Sequence, residues 1–264
     1  MYRVLNFRSS GRGDSLMKAL LGKVDLASVA IHFPLFLALV SVTGCAGPQA
    51  MTDQAIEQYI RAHPEVIEQS LQALEAKREA EEKARQKVAI GQRQKDLLHD
   101  PNSPVSGNRN GDVTLVEFFD YRCGFCKRAA GAVTQLQNED SRVRVVYKDF
   151  PILGEPSELA AKAALASNRQ GKHQAFHEAL LASKGEMTKE SILAIAGDVG
   201  LDTARLESDM ANPEWQTVID RNRALAKDLG ISGTPGFIVG TELVPGALDV
   251  NGLKDLIARA GAKK

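Results

Sequence analysis

The most reactive groups in this chain are two thiols three positions apart, in Cys123-Gly124-Phe125-Cys126. A thiolate attacks a disulfide sulfur or binds a soft metal, so such a pair supports dithiol–disulfide exchange, half of a zinc site, or two structural thiols. The run Val113-Thr114-Leu115-Val116-Glu117-Phe118-Phe119 just before it is β-branched and aromatic, and Ala-rich helical sequence follows, so the pair falls where a strand hands over to a helix. Cys123 then lies at a helix N-terminus, where unpaired N–H groups and the helix dipole favour its thiolate, while Cys126 lies shielded in the first turn. Arg122, Lys127 and Arg128 add nearby positive charge, which Asp120 opposes in part. Zinc would need two further ligands. Beyond these two thiols the chain has Cys45, and His173 with His177 is the only His pair that could complete such a site; both are read as surface or packing residues of a helix, and no metal is expected.

The elements that must hold this pair are legible in outline. Residues 143–147 read as a second strand, so strand, helix and strand form a βαβ unit with a parallel pair in an α/β sheet. A C-x-x-C placed in such a unit has the thioredoxin-like pattern. Residues 157–229 are a long helical tract punctuated by Gly171, Gly185, Gly200 and Pro213, which makes an inserted subdomain in which Trp215 and Phe176 are core residues. After it come Gly233-Thr234-Pro235-Gly236, a strand at 237–240, a short apolar run at Leu243-Val244, and a last helix at about 250–259.

The segments Val116-Glu117-Phe118-Phe119-Asp120-Tyr121-Arg122-Cys123-Gly124-Phe125-Cys126-Lys127, Tyr147-Lys148-Asp149-Phe150-Pro151-Ile152-Leu153, Gly171-Lys172 and Gly233-Thr234-Pro235-Gly236 resemble the DsbA family of bacterial periplasmic thiol:disulfide oxidoreductases, over about residues 103–262. The resemblance implies an α/β, thioredoxin-like fold with an inserted helical subdomain, here preceded by an N-terminal helical segment. It implies that Pro235 is cis and faces the thiols, that Thr234 and Pro235 dock the client backbone beside Gly124 and Phe125, and that Glu117 is the buried acid that shuttles the proton of the resolving Cys126. A cis X-Pro bond costs only about 0.5 to 1 kcal/mol, far less than any other residue, and burial would raise the pKa of Glu117 into a useful range. No cofactor is implied.

The residue before the second cysteine bears on direction. Stabilising the reduced thiolate makes the disulfide oxidising, and DsbA, with a His there, stands at about −120 mV. Phe125 supplies neither proton nor charge to Cys123, and Gly-Phe between the cysteines with Thr before the Pro is more like the isomerase branch, at about −180 mV. The expected activity is therefore disulfide isomerase or oxidoreductase on unfolded or misfolded exported proteins. The alternatives are a dithiol oxidase regenerated by a membrane redox partner, and a non-catalytic surface lipoprotein or holdase.

The N-terminal part carries address and assembly rather than chemistry. Basic residues precede an apolar stretch at 30–42, too short for a membrane span and suited to a signal peptide. Val42-Thr43-Gly44-Cys45 is similar to a bacterial lipobox, with Cys45 as the lipid-attachment residue; cleavage after Ala46 and an uncleaved anchor are the alternatives, and Met17 is a possible start. This gives a signal peptide at 1–44, a helical oligomerisation segment and linker at 45–100, and the catalytic domain at 101–264, in the periplasm and lipid-anchored to the outer membrane. Residues 52–98 read as helix, with Thr52 or Asp53 as cap and Pro64 opening a second segment. Its apolar stripe of Val66, Ile67, Leu71 and Leu74 is expected to be buried, either against copies of itself as a dimer or trimer or back on its own catalytic domain. Residues 99–111, rich in Pro, Asn and Gly, are expected to be a hinge. With 33 basic against 33 acidic residues the chain is formally neutral, which argues against nucleic acid as a partner.

Overall fold

Alternation along β2 (Val113–Phe119) organises the molecule, a computed structural model that describes residues 52–261. Leu115 and Phe119 point into one apolar core, Val116 and Phe118 into another, and all four are essentially inaccessible to water. A strand buried on both faces reads as an unbroken apolar run, which is why this segment is so conspicuous in sequence. Around it the sheet has the order β1-β3-β2-β4-β5, where β1 is Val105–Gly107, β3 Val143–Asp149, β4 Gly236–Val239 and β5 Glu242–Pro245. The β2–β3 pair is parallel and the other pairings are antiparallel.

The first core is closed by α4 (Gly124–Glu139) and α10 (Val250–Gly261), which present Cys126, Ala129, Val133 and Leu136 and, from α10, Leu253 and Leu256. The expected insertion is present as α5 (Glu155–Ser167), α6 (His173–Ala182), α7 (Lys189–Asp198), α8 (Thr203–Met210) and α9 (Glu214–Asp228). Thr188 and Asp202 cap α7 and α8 by accepting from the N–H groups of Ser191 and Arg205. Phe176 is fully buried, and Trp215 is buried with its indole N–H donated to the Asp209 carbonyl at 2.8 Å.

The chain divides into units 1–57 and 58–264. Of the first, only residues 52–57 are described; they open α1 (Asp53–Ala62), with the Ala55 N–H 3.3 Å from Thr52 Oγ1. In the second, α2 (Glu65–Gln92) follows Pro64, and its last turns dock on the second core. Ile90 is fully buried there, as is Leu97 of α3 (Gln94–Leu98), and Gln86 Nε2 donates to the Leu229 carbonyl at 3.0 Å.

Two expectations need correction. Residues 99–111 do not form a free hinge: β1 lies among them, Tyr147 N–H donates to the Pro104 carbonyl, and the buried Lys148 ammonium donates to Asp96 O at 2.6 Å and Ser103 Oγ at 2.7 Å. The breaker residues make the turns of an edge strand. Gly107 has φ +70°, and a Cβ on it would stand 2.6 Å from the Val143 carbonyl oxygen. The packed region therefore starts before residue 101, at the end of α2. The stripe does not fold back on the catalytic domain either, because Ile67, Leu71 and Leu74 stand exposed together with Tyr59 and Ile60.

Candidate active site

Cys123 caps α4 in extended conformation, and the first helical residue is Gly124. Its thiol donates to the Thr234 carbonyl at 3.2 Å, and the Thr234–Pro235 peptide bond is cis. The Pro235 carbonyl in turn accepts from the Gly246 N–H at 2.8 Å, which ties this loop to the end of β5. Both thiols are free in this structure: Cys123 reaches the surface at its edge, and Cys126 is fully buried. Phe125, between them, is exposed, with the Arg128 guanidinium 4.1 Å above its ring.

The two thiols differ in acidity for identifiable reasons. Burial works against ionising Cys123, but hydrogen bonds from the Thr234 side chain and from Cys126 and Phe125 outweigh it and hold the thiol below its ordinary value. Burial pushes Cys126 far up, helped by the adjacent Cys123 and Glu117 charges. The expected help from basic neighbours takes a different form. Arg122 Nη1 donates to the Leu153 carbonyl at 2.6 Å, Lys127 donates to the Ser183 carbonyl, and Arg128 covers Phe125.

Glu117 lies on the central strand, on the Leu115 and Phe119 side, opposite Tyr147 on β3 and Phe237 on β4. It is 1% exposed, its Oε1 has no hydrogen-bond partner, and burial raises its pKa to about 8. A carboxyl that stays protonated near neutral pH beside a buried thiol can give and take the proton of that thiol. The same face carries one acid that sequence reading did not single out, and the His pair that it did. Asp149 is a second buried acid, both its oxygens lack partners, and burial raises it to about 8 as well. His177 accepts from or donates to the Tyr121 hydroxyl at 3.0 Å and lies beside His173; burial lowers both imidazoles, His173 to about 3, so they are neutral packing groups. Among the described residues no three metal-ligand groups converge.

Asp120, which the sequence offered only as a counter-charge, joins two loops. Its Oδ1 accepts from the Arg122 N–H at 2.7 Å, and its Oδ2 from the Ile152 and Leu153 N–H groups at 2.8 and 3.0 Å. No pattern of spacing links positions thirty residues apart, so this clamp is visible only in the fold. Cys45 lies outside the described residues.

A helix-capping thiol above a buried partner, facing a cis-Pro loop on a βαβ sheet, defines a thiol–disulfide oxidoreductase domain of thioredoxin architecture. The family model described as DSBA-like thioredoxin domain matches residues 114–258, more than half of the sequence, and the chain belongs to that family. A thioredoxin-like oxidoreductase from Silicibacter pomeroyi DSS-3 is 48% identical with a TM-score of 0.62, covering 64% of this chain and 98% of that one. A linker-deleted N6K mutant of Proteus mirabilis ScsC is 26% identical with a TM-score of 0.68, covering 82% of this chain and 100% of that one. Na(+)/H(+) antiporter NhaA 1 of Salinispora arenicola is 30% identical over 160 residues, which are 60% of this chain. The chain spans only about a quarter, 24%, of the length of that antiporter, so the likeness is to part of it.

Proposed function

We propose that this protein carries out thiol:disulfide interchange on unfolded or misfolded exported proteins in the periplasm, with isomerisation as its main direction. The observation that carries the reading is the Cys123 thiol, depressed in pKa and 3.2 Å from the Thr234 carbonyl, directly above a buried and protonated Cys126. The Cys123 thiolate attacks a client disulfide; a Cys123–client disulfide forms and the other client sulfur leaves as thiolate. Either that client thiolate attacks another client disulfide and the client thiolate so released attacks the client sulfur of the mixed disulfide, expelling Cys123 as thiolate, or Cys126 gives its proton to an ionised Glu117 and attacks Cys123 Sγ, releasing reduced client. The exposed Phe125, which brings no charge to the thiolate, favours isomerase over strong oxidase. Refolding of scrambled ribonuclease by the purified protein tests this: the wild type should restore activity, and a Cys123→Ser protein that worked equally well would remove every redox version of the reading.

The exposed Tyr59, Ile60, Ile67, Leu71 and Leu74 support assembly of the chain as a dimer or trimer through α1 and α2, with residues 75–87, charged and exposed except at Gln86, as spacer. Lipid attachment at Cys45, anchorage to the outer membrane and a membrane redox partner belong to the same reading. Globomycin-sensitive labelling of the cell-expressed protein with a radioactive fatty acid, lost in Cys45→Ser, tests the anchor.

A further inference from the structure

Asp120 is buried, 2% exposed, and stands three residues before the reacting thiol. A buried carboxylate is costly unless its oxygens are hydrogen-bonded, and here main-chain N–H groups fill them. Oδ1 takes Arg122 at 2.7 Å, and Oδ2 takes Ile152 and Leu153 at 2.8 and 3.0 Å. The main chain of the same residue serves both cysteines. Its carbonyl accepts from the Cys123 N–H at 3.1 Å, and its own N–H donates to the Cys126 sulfur. The setting of this one residue therefore governs how Cys123 enters α4 and what Cys126 meets in the core.

The loop that Asp120 holds is braced from other sides as well. The Phe150 N–H donates to the Phe119 carbonyl at 2.8 Å, so the chain leaves β3 still joined to the end of β2. Arg122 Nη1 donates to the Leu153 carbonyl at 2.6 Å. From the insertion, Arg223 of α9 donates to the Pro151 carbonyl at 3.0 Å and is itself held by Glu158 of α5 at 2.8 Å. Residues 119–122 and 150–153 thus continue the β2–β3 pairing beyond the sheet, and the Asp120 carboxylate supplies the middle rungs.

We propose that Asp120 is a positioning residue for thiol exchange: its carboxylate locks the turn that leads to both reacting sulfurs onto the braced loop after β3, and so holds the hydrogen-bond geometry around Cys123 and Cys126. The proposal rests on the thiol-exchange reading above and adds a residue to it. A negative charge beside a nucleophilic thiol would by itself disfavour the thiolate. A clamp does the opposite, because it keeps the donors around Cys123 within reach of the charged sulfur. The two roles carry opposite signs, so one substitution separates them.

Asp120→Asn is that substitution: an amide keeps the size but puts N–H donors where one oxygen stood, so it cannot face the Arg122 N–H and the Ile152 and Leu153 N–H groups at once. In a Cys126→Ser background, thiolate absorbance against pH should place Cys123 higher in the Asn protein than in its parent. With both cysteines present, reduced protein is mixed with a fluorescent cysteine peptide joined to thionitrobenzoate by a disulfide. The Cys123 thiolate bonds to the peptide sulfur and thionitrobenzoate leaves as a coloured anion. The Cys126 thiolate then bonds to Cys123 Sγ and the peptide leaves as thiolate. This second step should slow by about tenfold or more, the cost of a misplaced reacting atom. A Cys123 titration that moves down makes Asp120 a counter-charge, and one that does not move makes it a holder of the fold alone; either result, or a second step as fast as the wild type's, overturns the proposal. If circular dichroism shows the Asn protein unfolded, Asp120→Ser, whose shorter hydroxyl serves the Arg122 N–H but not the loop, is held to the same outcomes. Wild-type protein that releases no thionitrobenzoate would instead refute the thiol-exchange reading itself.

Discussion

Glu117 stands directly across the parallel β2–β3 pair from Tyr147, so its carboxyl is enclosed by the sheet and the helices over it, with one oxygen unpaired. Held at about 8 by burial, it keeps its proton in the folded state well above its ordinary value of 4.5. The stability this contributes is complete below about pH 4.5 and is lost as pH rises through about 8. Glu117→Gln should therefore gain on the wild type across that window, by on the order of 5 kcal/mol at the alkaline end. Urea unfolding of both reduced proteins at several pH values measures it, and parallel pH profiles would be the contrary result.

The same substitution removes a buried carboxyl whose charge acts on Cys126. Mixed disulfide between Cys123 and a test peptide should then decay about a hundredfold more slowly, as expected for loss of general acid–base help. Stopped-flow fluorescence of the peptide gives the rate; an unaltered decay would assign the proton to another group.

Thr234 is the first of the hydrogen-bonding groups that lower Cys123 against the opposing effect of burial. In a Cys126→Ser background, Thr234→Val should raise the thiol, because one hydrogen bond to the charged sulfur is lost. Phe125→His should lower it, by placing a proton donor next to the sulfur. Thiolate absorbance against pH reads both, and a Thr234→Val titration coincident with the parent would remove Thr234 from the list of causes.

Ile90 and Leu97 tie α2 and α3 to the second core, and both are fully buried. Replacing either by Ala should cost about 2 to 4 kcal/mol, whereas the same change at the exposed Leu71 should leave the unfolding midpoint of isolated chains near the wild type. Ile67→Asp/Leu71→Asp should instead reduce the mass seen by light scattering to that of one chain. Wild-type protein that is already monomeric would leave the stripe without that purpose.

The chemistry of this protein was readable because it is compressed into short segments. A doubly buried strand and a C-x-x-C at its end are legible through local composition, whereas the expectations for Glu117, Thr234 and Pro235 came from the family resemblance. The edge strand β1 was not readable: three residues, Val105, Ser106 and Gly107, between turn-forming Asn, Pro and Gly become a strand only because β3 offers its edge. Asp120 escaped for a similar reason, since what it does is fixed by two N–H groups of a distant loop. The destinations of Arg122, Lys127 and Arg128 also depend on carbonyls and a ring that tertiary packing alone brings near.

The reduction potential of the Cys123–Cys126 pair, measured by equilibration with glutathione, tests the central claim most directly. A Cys123 held below its ordinary pKa by hydrogen bonds, with no charged neighbour between the thiols, should give a value near −180 mV. A value near −120 mV would contradict the isomerase direction and support a dithiol oxidase, and one below about −300 mV, typical of structural disulfides, would contradict thiol exchange as the function.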